Sequence, residues 1–366
     1  MRIALDATPA AVQQAGVGRY ARELIRALVQ LETPDQYVLS VAGSPVDARA
    51  LLHGLPPGAW REVRQLPLGE RWMTIAWHRA HVPMTIERMI GPFDLFHGTD
   101  FVLPPTRRPC VVTIHDLSFT LHPEFAEPGL ASYLSRAVPA ALKRASAIIA
   151  VSASVAADVA EVYPAAASRL VVVPNGVRLP EQAGRQVSAP LILAVGTIEP
   201  RKNHATLLRA IEIVRDTHPE AVLVVAGKIG WRSGSIVSAL RMAERGGTVR
   251  LVLAPDDATL MTLYRSAAVV VTAAWHEGFG LPVLEAMAHG VPVVASAIAA
   301  LRETGGDVAL YAEPADAEAF AAQLTRVLDD AVLRACLGTR GRERARQFSW
   351  DTTARHTHRV YERATA

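Results

Sequence analysis

The residues best suited to chemistry lie in one stretch of the C-terminal half, WHEGFGLPVLEAMAHG at 275–290. Pro282 near a first turn and Gly290 at the end predict a helix between them. Glu277 precedes this helix and Glu285 lies about one turn inside it, so both carboxylates can face one cleft and bind paired sugar hydroxyls. Free amides at the start of a helix favour a phosphate. The residues predicted to present this phosphate site are Gly278, Phe279, Gly280 and Leu281.

A pair of glutamates can also be the acid and the nucleophile of a glycoside hydrolase. Eight helical positions rise about 12 Å, whereas the two carboxyl groups of glycosidases stand roughly 5–9.5 Å apart. The spacing of Glu277 and Glu285 therefore disfavours hydrolysis. A simpler alternative, in which Glu285 is an ordinary residue on the surface of its helix, stays open.

A second motif, GTIEPRKNH at 196–204, follows the first apolar run of the C-terminal half. Ligands of open α/β sheets bind at the carboxyl ends of strands. Arg201 offers a planar pair of donors and Lys202 a compact charge, which together suit a diphosphate leaving group. Three of the 38 basic residues are Lys, so a lysine here indicates a need for that compact charge. The alternative is two solvated cations, although the positive end of a helix disfavours them.

A glycine-rich loop, GVGRYA at 16–21, precedes the first long helical pattern. It matches the G-x-G-x-x-A string of dinucleotide-binding proteins, in which the first glycine directly follows a strand and an acidic residue ends the next strand. Here Gly16 comes well after Asp6, and residues 37–43 contain no acid. This context disfavours a nicotinamide site. Two interpretations remain: Gly16 and Gly18 let a phosphate or sugar approach the backbone, or the loop is a flexible crossover.

These motifs need a framework, and short apolar runs alternate with helical patterns along the chain. The predicted strands of the first half are Ile3–Leu5, Tyr37–Val41, Asp94–His97, Val111–Ile114, Ile148–Val151 and Leu170–Val173. Those of the second half are Leu191–Val195, Val222–Ala226, Arg250–Leu253, Val269–Thr272 and Val291–Ala295. The main predicted helices are Arg19–Leu31, Trp72–Met89, Gly129–Lys143, Ala153–Val162, Ala205–Thr217, Asp257–Arg265, Ala317–Leu328, Val332–Arg346 and Trp350–Arg363. Such alternation predicts parallel sheets with helices on both faces.

The α/β pattern and the length of 366 residues favour two domains. We predict an N-terminal domain over 1–180, a polar linker over 181–189 and a C-terminal domain over 190–347. Each is expected to be a Rossmann-like, doubly wound parallel sheet, and the two are expected to face a central cleft.

Composition argues against several other classes of protein. A net charge of +3 and an aromatic content of 6% give no global field and few stacking platforms for nucleic acid. Cys110 and Cys336 make neither a disulfide framework nor a metal cluster. Asp6 interrupts the position of a secretory apolar segment, and no run of about 18 apolar residues is present. We expect a soluble, unexported, cytoplasmic protein.

The combination of these strings resembles the retaining glycosyltransferases of family 4, which have the GT-B fold. Glu277 and Glu285 form an E-x7-E arrangement inside HEGFGLPVLEAMAHGVPVVAS, with EPRKN and GVGRY upstream. Further similar strings extend over essentially the whole chain: IHDLSFTLHPE at 114–124, VSASVAADV at 151–159, VVVPNGV at 171–177 and GKIGW at 227–231. Each string alone is weakly specific, whereas the set is highly specific.

The resemblance implies that the C-terminal domain holds a nucleotide-diphosphate sugar. Arg201 and Lys202 would bind the diphosphate, Glu285 the nucleotide ribose and Glu277 the hydroxyls of the transferred sugar. In this interpretation Arg201, Lys202 and Glu277 are catalytic, together with His115 from the N-terminal domain.

For the N-terminal domain, the resemblance implies that His115 faces the donor sugar and that Gly16 and Gly18 lie near the diphosphate and the acceptor. Arg19 and Asp116 are assigned to the acceptor side. His115 and Asp116 also form a sensible polar pair at the end of a strand, although a lone histidine in a loop is often neutral packing. The last helix, about 349–366, would return to the first domain.

The resemblance further implies a transfer on one face of the sugar, without an organic cofactor; the nucleotide sugar is a co-substrate. No carboxylate is obviously placed as a nucleophile, and no Asp-x-Asp string follows a strand, which fits a reaction without metal. The motif set is most similar to bacterial mannosyltransferases of polysaccharide and lipopolysaccharide assembly. GDP-mannose and a glycan or lipid-linked saccharide are therefore the expected substrates, with UDP-hexoses left open as donors.

Other classes of function remain as alternatives. A sugar-phosphate epimerase or a phosphorylase shares the two-domain shape, but no extra lysine for a pyridoxal cofactor is evident. A non-catalytic nucleotide-sugar-binding protein would bind donor without forming product. Residues 60–89 carry Trp60, Trp72 and Trp77 among five arginines, including Arg79. This stretch suits a peripheral contact with an anionic membrane or a core helix that shows its arginines to water.

Overall fold

The computed structural model describes residues 1–13, 16–44, 61–75, 77, 82, 84–180 and 190–366. The chain divides into two compact units. Met1–Thr120, Gly129–Gly176 and Trp350–Ala366 form the first, and Leu121–Pro128 and Val177–Ser349 form the second. Segment 121–128, inside the range predicted for the N-terminal domain, thus lies with the second unit. The predicted linker at 181–189 lies outside the described residues, as do Trp60 and Arg79.

The first unit contains a parallel sheet whose strands follow the predicted apolar runs, with one addition. In chain order they are β1 (Arg2–Asp6), β2 (Gln36–Val41), β3 (Arg61–Gln65), β4 (Leu95–Gly98), β5 (Cys110–Ile114), β6 (Ala147–Ala150) and β7 (Leu170–Val172). Their order across the sheet is β3-β2-β1-β4-β5-β6-β7. The order reverses between β1 and β4, which makes this the topological switch point. Apolar patterning does not predict β3, because its sequence, REVRQ, has one apolar residue.

The predicted helices of the first unit are present except in one segment, and the structure adds short helices that the sequence did not predict. The helices are α1 (Thr8–Val12), α2 (Val17–Leu28), α3 (Glu70–Thr74), α4 (Glu87–Ile90), α5 (Ser118–Leu121), α6 (Pro128–Arg144), α7 (Ala153–Val162) and a C-terminal helix (Trp350–Thr365). The single helix predicted over 72–89 is wrong, because residues 84 and 85 between α3 and α4 are not helical. Ser152 caps α7, since its Oγ accepts from the Val155 N–H at 3.0 Å.

The C-terminal helix is anchored in the core of the first unit. Trp350 and Tyr361 are buried in the same hydrophobic cluster as Ile3 of β1. The Tyr361 hydroxyl lies 2.7 Å from Nδ1 of His97, and Nε2 of His97 lies 2.8 Å from the Thr113 hydroxyl. Burial lowers the pKa of His97 to about 3, so its ring is neutral and has one donor and one acceptor for these two hydroxyls.

The second unit contains another parallel sheet. Its strands are β8 (Leu191–Val195), β9 (Val222–Gly227), β10 (Val249–Leu253), β11 (Val269–Thr272), β12 (Val293–Ser296) and β13 (Leu310–Ala312). Their order is β10-β9-β8-β11-β12-β13, so the switch point lies between β8 and β11. The short edge strand β13 is absent from the sequence-based assignment because its three residues give too little pattern.

The helices of the second unit are α8 (His204–Arg215), α9 (Gly234–Arg245), α10 (Asp257–Ser266), α11 (Leu281–Ala288), α12 (Ala299–Gly305), α13 (Ala317–Asp329) and α14 (Ala331–Ala345). The carboxyl ends of β8 and β9 lie very close to each other. A Cβ added to Gly227 at the end of β9 would lie 1.8 Å from the carbonyl oxygen of Gly196, which follows β8. Only glycine fits there, so this sheet edge depends on it.

Candidate active site

Two loops that carry predicted site residues meet at the switch point of the second unit. The loop after β8 contains Arg201 and Lys202, and the loop after β11 contains Glu277. Neighbouring strands of a parallel sheet end at the same edge, which brings these loops together. The Trp275 N–H donates to the Arg201 carbonyl at 2.9 Å. The two loops are therefore joined through their backbones as well as their side chains.

Asn203 strengthens this connection in a way that the sequence analysis does not predict. Asn203 directly precedes α8, but it adopts a left-handed conformation with φ of 54° and makes no capping hydrogen bond through its side chain. Instead, Asn203 Nδ2 donates to the carbonyls of Ala273 at 3.0 Å and Pro314 at 2.7 Å. The side chain thus fixes the first loop to the chain that follows β11 and to the chain that follows β13.

Four charged side chains form a largely buried cluster in these loops. Glu277 pairs through one carboxylate oxygen with Lys202 Nζ and through the other with Arg201 Nη1 at 3.0 Å. Glu199 Oε1 accepts from Arg201 Nη2 at 2.7 Å and from Nε at 3.1 Å. Arg201 Nη1 also donates to the His276 carbonyl at 2.7 Å. We call Glu199, Arg201, Lys202 and Glu277 the charged cluster; the sequence analysis finds all of them except Glu199.

The electrostatics of the charged cluster keep Glu277 ionised. Burial alone raises the pKa of Glu277, but the charges of Lys202 and Arg201 outweigh it and bring the pKa to about 2. Beside the cluster, burial lowers the pKa of His204 to about 4, and the Lys202 charge adds to this. His204 is therefore neutral at pH 7. The two cations and two carboxylates cancel, so the cluster has no net formal charge.

Gly196 allows Lys202 to lie close to the end of β8. Its φ is 149°, a backbone conformation that favours glycine. A Cβ at this position would lie 3.2 Å from Lys202 Cε and 3.4 Å from Nζ. The lysine stem therefore runs against the backbone, which directs its ammonium group to Glu277.

The helix α11 starts directly after the Glu277 loop. Gly280 precedes it with φ of 90°, in the left-handed region, and a Cβ there would lie 2.5 Å from Leu301 Cδ2. Phe279 is buried, with its ring centre 6.0 Å from that of Phe348, so only its backbone is available to a ligand. The first N–H groups of a helix have no partner inside it, and the start of α11 is where the sequence predicts a phosphate site, at Gly278 to Leu281.

Glu285 lies inside α11 and is 9% exposed, which contradicts the alternative of an ordinary surface residue. Its Oε2 accepts a hydrogen bond from the Tyr264 hydroxyl at 2.7 Å. The Tyr264 ring stacks on His289 with 5.1 Å between ring centres, and His289 Nδ1 donates to the Glu285 carbonyl at 2.8 Å. Tyr264 was missed by the sequence analysis, which gives no local signal for a partner 21 positions away.

In the first unit the glycine loop leads into α2. Gly16 precedes the helix with φ of 49°, and nothing lies within 4 Å of the position of an added Cβ. A Cβ on Gly18 would instead lie 2.0 Å from the Gln13 carbonyl oxygen. Packing therefore requires glycine at 18, whereas at Gly16 none of the described residues would meet an added Cβ. Arg19 is half-buried in the first turn of α2.

His115 and Asp116 follow β5. His115 Nε2 donates to the Thr99 carbonyl at 2.8 Å, and its ring meets the Tyr20 ring edge-on at 4.7 Å. Burial lowers the pKa of His115, so the ring is neutral at pH 7 and its Nδ1 is an acceptor. Asp116 Oδ1 accepts from both the N–H and the hydroxyl of Ser118, at 2.8 and 2.7 Å. It therefore helps to start α5.

Asp100 lies at the switch point of the first unit and was missed by the sequence analysis. Burial raises the pKa of Asp100 to about 7, and the charges of Asp6, Glu70 and Asp116 contribute to the increase. Gln13 Nε2 donates to Asp100 Oδ2 at 3.3 Å. Its position two residues after β4, at the carboxyl edge of the sheet, is the signal that could have identified it.

The structure thus brings Arg201, Lys202 and Glu277 together and places Glu285 on the adjoining helix α11. In the part of the chain that the structure describes, no three or more His, Cys, Asp or Glu side chains are arranged to hold a metal ion. Over the same residues, no helix is both long enough and apolar enough to cross a bilayer.

Two family models match this chain and together span most of it. The Glycosyltransferase Family 4 model matches residues 15–180, and the Glycosyl transferases group 1 model matches residues 178–344. O-antigen chain mannosyltransferase B of Escherichia coli is 28% identical over 99% of this chain and 100% of its own length. A D-inositol 3-phosphate glycosyltransferase of Kineococcus radiotolerans is 33% identical, but the match covers 57% of this chain and 54% of that protein.

Solved structures resemble the whole chain. Sucrose-phosphate synthase from Thermosynechococcus elongatus has a TM-score of 0.73 at 22% identity and covers 99% of this chain and 98% of that one. HepE of Anabaena, in complex with UDP and glucose, has a TM-score of 0.70 at 17% identity, with 99% of both chains covered. At these identities the likeness shows the fold.

The two parallel-sheet units confirm the GT-B fold class. The protein is accordingly an enzyme of the glycosyltransferase class. The chain belongs to glycosyltransferase family 4, and its C-terminal half is a group 1 glycosyl transferase domain.

Proposed function

We propose that the enzyme transfers mannose from GDP-mannose to a glycan or lipid-linked saccharide, with retention of the anomeric configuration. The observation that carries the proposal is the charged cluster at the switch point of the second unit, where open α/β sheets bind ligands. Mannose is supported by the likeness to O-antigen chain mannosyltransferase B, which extends over 99% of this chain.

In this proposal the second unit holds the donor. Arg201 and Lys202 bind the diphosphate, and the start of α11 adds backbone donors. Glu285, whose Oε2 accepts from the Tyr264 hydroxyl, binds the ribose. Glu277 accepts hydrogen bonds from hydroxyls of the sugar. The ribose, the diphosphate and the sugar are thus held by separate groups, so the nucleotide and the sugar are selected separately.

The transfer proceeds on one face of the sugar. The acceptor hydroxyl oxygen forms a bond to the anomeric carbon as the bond from that carbon to the phosphate oxygen breaks. The departing diphosphate oxygen takes the hydroxyl proton, while Arg201 and Lys202 stabilise its charge. Both oxygens of Glu277 are paired with cations, which supports a reaction without a covalent intermediate on this residue. In the first unit, Nδ1 of neutral His115 accepts a hydrogen bond from a sugar hydroxyl.

We propose further that no organic cofactor or metal is needed, because paired side-chain cations supply positive charge at the leaving group. Gly16, Gly18, Arg19 and Asp116 are assigned to the diphosphate and acceptor side of the first unit. We place the reaction at the cytoplasmic face of a membrane that holds the acceptor, in polysaccharide or lipopolysaccharide assembly. The exposed side chains of Trp72 and Leu68, 62% and 45% accessible, support a peripheral membrane contact.

A thermal-shift screen of GDP-, UDP- and ADP-sugars tests the donor, because a ligand stabilises the native state according to its occupancy. GDP-mannose is expected to give the largest increase in melting temperature. With a saccharide acceptor added, the enzyme is expected to transfer mannose from GDP-mannose to that acceptor. A selective increase in melting temperature with UDP-sugars would indicate that the transferred sugar is another hexose rather than mannose. A shift without product would instead favour the binding-protein alternative.

A matched pair of lysine variants tests the site. Lys202→Ala is expected to abolish turnover while the protein remains folded, whereas Lys143→Ala, at an exposed position in α6, is expected to keep wild-type activity. The proposal fails if no nucleotide changes the melting temperature at millimolar concentration, or if both variants turn over equally.

A further inference from the structure

Glu277 occupies the same cations that the proposed function assigns to the diphosphate. One of its oxygens is paired with Lys202 and the other with Arg201. The exposed fractions are 11% for the Glu277 side chain, 14% for Lys202 and 15% for Arg201. Water therefore screens these pairs only weakly. A diphosphate that reaches these cations must compete with a carboxylate that is already there.

Glu199 is not the carboxylate that can be displaced. Its side chain is 1% exposed and binds both Nε and Nη2 of Arg201 through one oxygen. Its carbonyl accepts the Lys202 N–H at 3.1 Å, which holds it in the turn that carries both cations. Glu277 is in a different loop and is the more exposed of the two. Because the charged cluster has no net charge, an arriving diphosphate gains a favourable field only when Glu277 gives up its ion pairs.

The cost of displacing Glu277 depends on what else the ligand brings. With a nucleoside diphosphate alone, the displaced carboxylate is left beside like charges with no replacement donor, and such a group is costly in a buried site. With a nucleotide sugar, hydroxyls of the sugar replace the lost donors. The same carboxylate thus opposes one ligand and binds the other.

We propose that Glu277 is a specificity residue that discriminates against the nucleoside diphosphate product in favour of the nucleotide sugar. This inference rests on the proposed function. In the free enzyme Glu277 serves as the counterion of Arg201 and Lys202, and it yields them when the sugar supplies hydroxyl donors. After transfer the sugar is gone, Glu277 pairs with the cations again and the diphosphate leaves.

The test compares two ligands in two variants by isothermal titration calorimetry: GDP and GDP-mannose, or the corresponding UDP pair if UDP-sugars bind. Glu277→Gln keeps the shape of the side chain and removes its charge. It is expected to bind the nucleoside diphosphate about tenfold more tightly than wild type, while the nucleotide sugar is bound equally well or more weakly. Product inhibition should increase accordingly.

Glu285→Gln is the matched control. Glu285 also lies in the second unit, but it is assigned to the ribose, which both ligands contain. Loss of this carboxylate is expected to weaken the binding of both ligands by the same factor, so the ratio of their affinities stays unchanged. If Glu277→Gln is too unstable to titrate, Glu277→Ser removes the same charge, and the expected change of the ratio is the same.

Two results would overturn the inference in distinguishable ways. If Glu277→Gln weakens the binding of the nucleoside diphosphate as much as that of the nucleotide sugar, Glu277 positions the cations and does not compete for them. The proposed function then stands. If wild type binds no nucleoside diphosphate and no nucleotide sugar, the proposed function itself falls, and the role of Glu277 falls with it.

Discussion

Tyr264→Phe is a sharp test of how the site holds Glu285. The substitution removes one hydroxyl, which donates to Glu285 Oε2 at 2.7 Å, and keeps the ring that stacks on His289. Tyr264 is 1% exposed and Glu285 9%, so water does not readily replace the lost donor. A hydrogen bond to a charged group contributes roughly 1.5–3 kcal/mol. We take about 2 kcal/mol as the loss of stability, which corresponds to about 4–8 °C in melting temperature for a unit of this size.

The same substitution is expected to raise the donor KM by a factor of roughly three to ten, with little change in kcat, because the carboxylate remains but loses its orientation. Melting is followed by calorimetry, and KM is obtained from initial rates with varied donor. Tyr361→Phe is the control: it removes a buried hydroxyl 2.7 Å from His97 in the first unit. It is expected to lower stability comparably without changing the donor KM. An unchanged donor KM in a destabilised Tyr264→Phe would refute the assignment of Glu285 to the ribose.

Other contacts give further expected outcomes. Gly227→Ala is expected to lower the melting temperature severely, since its methyl would meet a carbonyl at 1.8 Å; Gly234→Ala, with nothing within 4 Å, is the tolerated control, and equal melting of the two would contradict this packing. Burial alone raises the pKa of Asp35, but the N-terminal ammonium of Met1 and the imidazole of His358 lower it below its usual value. Because the pKa of Asp35 is lower in the folded protein than in the unfolded chain, the ionised Asp35 stabilises the fold at pH values above its unfolded pKa of about 3.9. This stabilisation is lost as the pH falls through the folded pKa. The melting difference between wild type and Asp35→Asn should shrink as the pH falls below the unfolded pKa of about 3.9, and a constant difference would argue against the ion pairs. Transfer is expected to continue at the same rate in EDTA; inactivation that Mg²⁺ reverses would show that a metal takes part.

The regular elements were largely predictable because their signals are local. A run such as Leu191–Val195 is apolar because β8 lies inside its sheet, and its alternation with helical periodicity predicts the parallel arrangement. The two missed strands, β3 and β13, lie at sheet edges. An edge strand such as REVRQ needs little apolar character, since it packs on fewer neighbours. Periodicity therefore underestimates the edges of a sheet.

The candidate site was predictable in residue type and only partly in geometry. Arg201, Lys202 and Glu277 stand out because they follow strands at the carboxyl edge, where ligands of such sheets bind. Nothing local indicates that Glu199 holds Arg201 through two nitrogens, or that a left-handed Asn203 ties one loop to the next. These partners depend on the side-chain packing of the folded unit.

The sequence by itself determined the class of framework, the positions of the chemically useful side chains and the glycines that permit close backbone approach. Each of these follows from apolar spacing and from backbone geometry over a few residues. Tertiary structure alone decided that Lys202 and Glu277, 75 positions apart, form an ion pair. They meet because β8 and β11 are hydrogen-bonded neighbours, and the order of strands in a sheet is set by packing of the whole unit rather than by any local run of residues.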